Sequence, residues 1–142
     1  MRRPLRKKYR SRTPNGCPSF EGTPMRDCIF CKIVRGEIPA RVVWEDENVL
    51  AFDDASPQSP VHTLVIPKQH FEHLGDGIPP DTLAALLSAV PLVARAKGVS
   101  VSGYRVVINN GPDANQTVPH LHVHVMGGRL MSHGMVRFSD ED

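Results

Sequence analysis

The sequence contains no long apolar run. Its most apolar stretch, Leu83 to Val93, is interrupted by Ser88 and Pro91 and falls well short of the roughly 20 residues a bilayer-spanning helix needs. No basic start followed by an apolar region and a small-residue cleavage site is present, so neither a membrane span nor a secretory signal is expected, and a cytoplasmic location is the default. Cysteine is scarce and odd in number at three, which excludes a fully paired disulfide framework. Acidic residues are almost missing from the first 26 positions, where Glu21 stands alone.

What is present fits one globular domain: 142 residues, 40% of them hydrophobic, build one core but not two. The net charge of +2 averages over two unlike parts. Residues 1–26 carry eight Lys or Arg against Glu21, a net +7, and the rest carries −5. That first part also holds Pro4, Pro14, Pro18 and Pro24 and has almost no apolar periodicity, so it reads as a disordered basic extension. It is either inert, an upstream start with Met25 beginning the working protein, or an arm for nucleic acid or an anionic membrane. An Arg-rich, acid-poor start also suits an organelle transit peptide, but the prolines spoil its amphipathic helix. The domain is placed at 27–142.

From Asp27 onward, short strands alternate with turns. A short helix is expected over Ile29 to Val34, before Gly36. Arg41 to Trp44 and Val49 to Phe52 read as a hairpin around Glu45-Asp46-Glu47-Asn48, and Val61 to Ile66 as a third strand stopped by Pro67. Leu83, Leu86, Leu87, Val90 and Val93 at helical spacing predict one main helix, with Asp81 or Thr82 as N-cap and Gly98 as stop. Pro91 inside it should bend the helix or split it near Leu87. Tyr104 to Asn109 and His120 to Met126 read as the last two strands, joined by turn formers. Five strands and one main helix predict an α+β domain with a largely antiparallel sheet.

The chemistry lies in the last strand. Three of seven histidines, His120, His122 and His124, fall at alternate positions, so on a strand they share one face while Leu121, Val123 and Val125 face the core. A neutral imidazole can attack phosphorus and leave again; a metal site is the main rival. The preceding loop, Asn109 to Pro119, offers Asn109, Gln116 and Thr117 as neutral donors suited to phosphate oxygens. Cys28-Ile29-Phe30-Cys31 adds a Cys-x-x-Cys pair, and two thiolates with two imidazoles would satisfy tetrahedral zinc. No Trp or Pro context around it suggests a thioredoxin-type redox site.

His120-Leu121-His122-Val123-His124-Val125-Met126 resembles the histidine-triad signature, and the similarity extends from Cys28 through His62-Thr63-Leu64-Val65-Ile66-Pro67-Lys68 to Gly127-Gly128-Arg129. The resemblance implies a histidine-triad (HIT-like) fold and a homodimer with joined sheets. Nucleotidyltransferase branches carry glutamine at the third histidine, so His124 points to a hydrolase. The Gly127-Gly128-Arg129-Leu130-Met131 tail resembles the Hint branch, whose members cleave purine nucleoside 5′-phosphoramidates such as nucleotidyl-lysine. The alternatives are an Fhit-like dinucleoside polyphosphate hydrolase, or a nucleotide- or partner-binding module with vestigial activity.

Carried over, the resemblance makes His122 the nucleophile of a covalent nucleotidyl-histidine intermediate, with His124 on the phosphate, His120 orienting the nucleophile and His62 supporting it. Asp54, with Ala55 beside it, would hold the ribose, whose two hydroxyls a carboxylate accepts together. Asn109, Asn115, Gln116 and Thr117 would hold the phosphate and ribose side, and Ile29, Phe30, Ile33 and Phe52 the base. Bacterial relatives with the cysteine pair hold zinc; here the ligands would be Cys28, Cys31, His70 and His120, while His73 and His133 are read as solvated. The chain departs from the pattern in two places. Asn115 stands where many relatives have glycine, the residue that tolerates positive φ. The segment from Ser132 to Phe138 lacks the Trp-containing end of the animal members.

Overall fold

A computed structural model describes residues 27–139; the basic extension and its expected disorder lie outside the described residues. Five strands form one sheet in the order β1-β2-β3-β5-β4, every neighbouring pair antiparallel: β1 (Val42–Glu45), β2 (Val49–Asp53), β3 (Val61–Pro67), β4 (Tyr104–Val107) and β5 (Val123–Gly127). Two helices complete the α+β architecture, α1 (Ile29–Val34) and α2 (Pro80–Ala96).

The central strands read as continuous apolar runs because both faces of the sheet are covered. Val49, Ala51, Val65, Val123 and Val125 meet Leu86, Ala89, Val90 and Val93 of α2 on one face. On the other, Leu50, Phe52, Leu64 and Ile66 meet Phe30 and Cys31 of α1. The strand period of two thus sends alternate residues of β2 to two different layers. The α1 layer is thin, and it is the one that bears the site.

The helix ends differ from expectation. Neither Asp81 nor Thr82 caps α2; its N-cap is Pro79, with Pro80 opening the helix and no side-chain cap bond. Proline there loses nothing, because the first-turn N–H groups have no intrahelical acceptor. Pro91 does not split the helix, which runs on to Ala96. Pro91 and Leu87 both lie on the exposed side, so the carbonyl freed at Leu87 faces solvent. Leu87 accordingly leaves the expected core face, which Ala89 and Ala94 complete instead.

The last strand also starts later than its alternation suggests. β5 begins at Val123, leaving His120 and His122 ahead of it. The ladder with β3 stops at the Val65–Val123 pair. Pro67 ends β3 without an N–H to offer, and the Leu121 amide donates to Phe71 O instead. Free of the ladder, this segment turns its two histidines toward different surroundings.

Candidate active site

An open cleft of about 1260 Å³ runs along the α1 side of the sheet. Ile29, Phe30 and Ile33 from α1 and Phe52 and Leu64 from the sheet form an apolar wall, with Phe30 edge-on to Phe52 at 5.5 Å. Asp54 and Ala55, which follow β2, also line the cleft, together with Asn109, Asn115 and Thr117 and with His62, His122 and His124. Of the residues expected to touch a nucleotide, only Gln116 is not part of the lining. Its side-chain amide is occupied: it accepts from the Gly111 amide at 3.0 Å and donates to the Glu72 and Val118 carbonyls at 2.7 and 3.1 Å. Gln116 therefore shapes the loop from inside. Asn115 is the single non-glycine residue with positive φ among the described residues, at 58°, which asparagine tolerates better than most side chains.

The histidine protons follow from the fixed donors and acceptors around them. A carbonyl only accepts, so the 2.7 Å contact between His122 Nδ1 and His120 O puts a proton on Nδ1. The neutral ring then carries its lone pair on Nε2. Burial pushes the His122 pKa below its ordinary value, which the His120 carbonyl opposes and His120 and His62 reinforce. The contact between the two residues runs through the His120 carbonyl and not through its ring, which lies elsewhere.

The reverse holds at His62. The Gln58 amide can only donate, and it lies 3.0 Å from His62 Nδ1, so the proton of that ring sits on Nε2. Nε2 approaches His124 Nδ1 at 2.8 Å and Asp54 Oδ2 at 3.4 Å. Leu64 pairs with His124 and His62 with Met126, which makes His62 and His124 diagonal neighbours on one face. Accepting at Nδ1, His124 carries its own proton on Nε2, and this is the buried side-chain nitrogen or oxygen without a hydrogen-bond partner among the described residues. Burial first, then the adjacent His122 and His62, lower its pKa to about 4, so the ring is neutral at physiological pH. A lone pair on His122 and an unpartnered N–H on His124 thus stand side by side, ring centroids 4.9 Å apart.

His120 points elsewhere. Its ring is fully buried beside Cys28, Cys31 and His70. Nδ1 lies 3.3 Å from Cys28 Sγ, 3.6 Å from Cys31 Sγ and 3.2 Å from His70 Nδ1, and Cys31 Sγ is 3.2 Å from His70 Nδ1. In a tetrahedral zinc site, bonds of about 2.0 Å to N and 2.3 Å to S put ligand atoms roughly 3.3 to 3.8 Å apart. The donor set fits. His120 Nε2 donates to Pro67 O at 2.9 Å, which leaves the Nδ1 lone pair for the metal. Hydrogen bonding from Cys31 pulls the Cys28 thiol far below its ordinary value against the effect of burial, with His120 and His70 adding to the pull, and thiolate is the ligating form. The four buried residues could hold a metal ion such as zinc.

Asp54, His62 and His124 also cluster tightly enough to suggest a metal. Tautomers exclude it: with Gln58 N–H on Nδ1, a metal on His62 Nε2 would require an imidazolate.

The HIT domain model matches residues 35–131, which hold the sheet, α2 and all three histidines. The chain belongs to the HIT family. It is 44% identical over 121 residues to a HIT-like protein of Methanocaldococcus jannaschii, covering 81% of this chain and 93% of that one. The HitA protein of Neisseria gonorrhoeae is 43% identical over 105 residues, covering 72% and 97%. Among solved structures, a HIT family hydrolase from Legionella pneumophila superposes with a TM-score of 0.70 at 47% identity, covering 75% of this chain and 96% of that one. A histidine triad nucleotide-binding protein from Candida albicans does so with a TM-score of 0.66 at 32% identity, covering 77% and 86%. No helix of this HIT protein's described residues is long and apolar enough to cross a membrane.

Several lining residues had no signal in the sequence. Ile38 to Arg41, Asp53 and Lys97 come from three separate segments, with Lys97 held on Asp53 at 3.0 Å. The Gln58 amide carries no side-chain signature at all, since any residue but proline would supply it.

Proposed function

We propose that this HIT protein is a hydrolase of purine nucleoside 5′-phosphoramidates of the nucleotidyl-lysine type, acting through a covalent nucleotidyl-His122 intermediate. The observation that carries the reading is the pairing of a fixed Nε2 lone pair on His122 with the unpartnered Nε2–H of His124 in one cleft. The base would lie against Ile29, Phe30, Ile33 and Phe52, the ribose hydroxyls on Asp54, and the phosphate beside Asn109, Asn115 and Thr117.

His122 Nε2 attacks the α-phosphorus and the phosphorus–nitrogen bond to the leaving amine breaks. His124 Nε2–H donates to a phosphoryl oxygen as negative charge builds on it. The amine leaves with a proton drawn from solvent. Water then attacks phosphorus, the phosphorus–Nε2 bond breaks, and the proton taken up in the first step is returned. Cys28, Cys31, His70 and His120 would hold a structural zinc, which would tie α1 to the His120 segment and take no part in these steps. Exposed Leu87 and Leu92 on α2, together with the position of β4 at the edge of the sheet among the described residues, support the family's homodimer.

The test is single-turnover incubation with adenosine 5′-phosphoramidate, followed by intact-mass analysis. The expected result is AMP release with a transient adenylated protein, both lost in His122→Ala by about a thousandfold or more, as for removal of other covalent nucleophiles. Wild-type turnover in that variant would falsify the mechanism.

A further inference from the structure

The β2–β3 loop folds back so that one carboxylate touches two systems at once. Asp54 Oδ1 accepts from the Ser56 amide at 2.8 Å, which fixes the carboxylate plane. Oδ2 is then held 3.4 Å from His62 Nε2, while Asp54 lines the cleft. His62 Nε2 carries a single proton, because the Gln58 amide occupies Nδ1, and two acceptors lie within reach of it: Asp54 Oδ2 and His124 Nδ1. A proton shared between two acceptors follows the stronger one.

We infer that Asp54 is a positioning residue as well as a ribose ligand: ribose hydroxyls on its carboxylate weaken its hold on the His62 proton and commit that proton to His124. The inference rests on the ribose assignment proposed above. It makes the sugar a switch for the phosphate donor. With Asp54 unengaged, the carboxylate at 3.4 Å competes with His124 at 2.8 Å for the one His62 N–H. With the hydroxyls in place, the carboxylate's lone pairs are taken and the 2.8 Å bond to His124 Nδ1 carries the whole proton. His124 is then fixed in its Nε2–H form with that N–H aimed into the cleft. Every group required belongs to the nine-residue stretch from Asp54 to His62 or to His124 itself. A nucleotide lacking the hydroxyls therefore loses turnover as well as affinity, and selection between ribose and deoxyribose is made partly in the chemical step.

The deciding experiment follows the histidine ring nitrogens by long-range ¹H–¹⁵N NMR while the full chain is titrated with adenosine or 2′,3′-dideoxyadenosine. Neither probe brings a phosphate that could touch His124 directly. Both should perturb Phe52 and Ile33, and adenosine alone should move His124 Nδ1 and slow exchange of its Nε2 proton. Equal His124 responses to both probes, or none to either despite binding, would overturn the coupling and leave the hydrolase reading standing. Failure of both nucleosides to perturb the apolar wall would remove the nucleotide site and the coupling with it. In kinetics, the deoxygenated phosphoramidate should show a kcat lower by about tenfold, the worth of one hydrogen bond. That kcat ratio should collapse toward one in Asp54→Ala. His62→Gln, which keeps a donor for His124, should rescue the kcat lost in His62→Ala.

Discussion

The His120–His124 segment contributes to two histidine clusters, and they differ in what fixes each proton. In the cysteine–histidine cluster a carbonyl, Pro67 O, draws the His120 proton to Nε2 and bares Nδ1 beside two sulfurs. In the cleft a backbone amide, Gln58 N–H, does the opposite to His62 and makes its Nε2 a donor. The same side chain thus offers a lone pair suited to a metal in one place and a proton in the other. Ligand type follows from one backbone group per ring, which residue identity does not encode.

The comparison breaks first at the cysteines. Cys31→Ser, or stripping by a strong chelator, should lower Tm by roughly 10 °C or more, since ~1 kcal/mol is worth several degrees in a domain of this size. Metal analysis of protein purified without chelator should find about one zinc per chain in the wild type, and less than about 0.2 in the variant. His62→Ala should do the reverse. It should leave zinc content intact while turnover falls by about a hundredfold, as expected for loss of a group acting on the transition state.

A subtler break uses acid. The His124 pKa is about 4 in the fold against an ordinary 6.5, so the unfolded chain takes the proton first as pH falls. Stability from this group is therefore complete above about pH 6.5 and is lost progressively toward pH 4. Denaturant titrations across that window should show the decline in the wild type and a flatter curve in His124→Gln. The smallest effect is expected at Gln116, whose three side-chain hydrogen bonds hold the 110–118 loop. Gln116→Ala should cost about 1 to 2 kcal/mol and raise KM more than it lowers kcat, as titrations against phosphoramidate would show.

Much of the fold was legible. Short apolar runs bounded by turn formers located the strands, and the Leu86–Val93 spacing located α2, because burial under a helix leaves a repeating signature and burial on both faces of a sheet leaves a short continuous one. The helix start was misplaced because proline at the first turn competes well with Asp81 as an opening signal. The site was only partly legible. Alternation put His120, His122 and His124 on one face, but the strand begins after His122, and a late start is set by Pro67 and Phe71 on other segments. The resemblance already gave the three imidazoles different roles, with His122 as nucleophile, His124 on the phosphate and His120 between orienting its neighbour and ligating zinc, but it could not give the ring tautomers. The tautomers depend on backbone groups, the Pro67, His120 and Gln58 peptide atoms, that no side-chain pattern reports.

The most direct test of those tautomers is the nitrogen spectrum of the zinc-loaded protein at neutral pH. Long-range ¹H–¹⁵N correlations should show His120 protonated at Nε2, His122 at Nδ1, and both His62 and His124 at Nε2. A His122 ring protonated at Nε2, with no lone pair facing the cleft, would contradict the account at its centre.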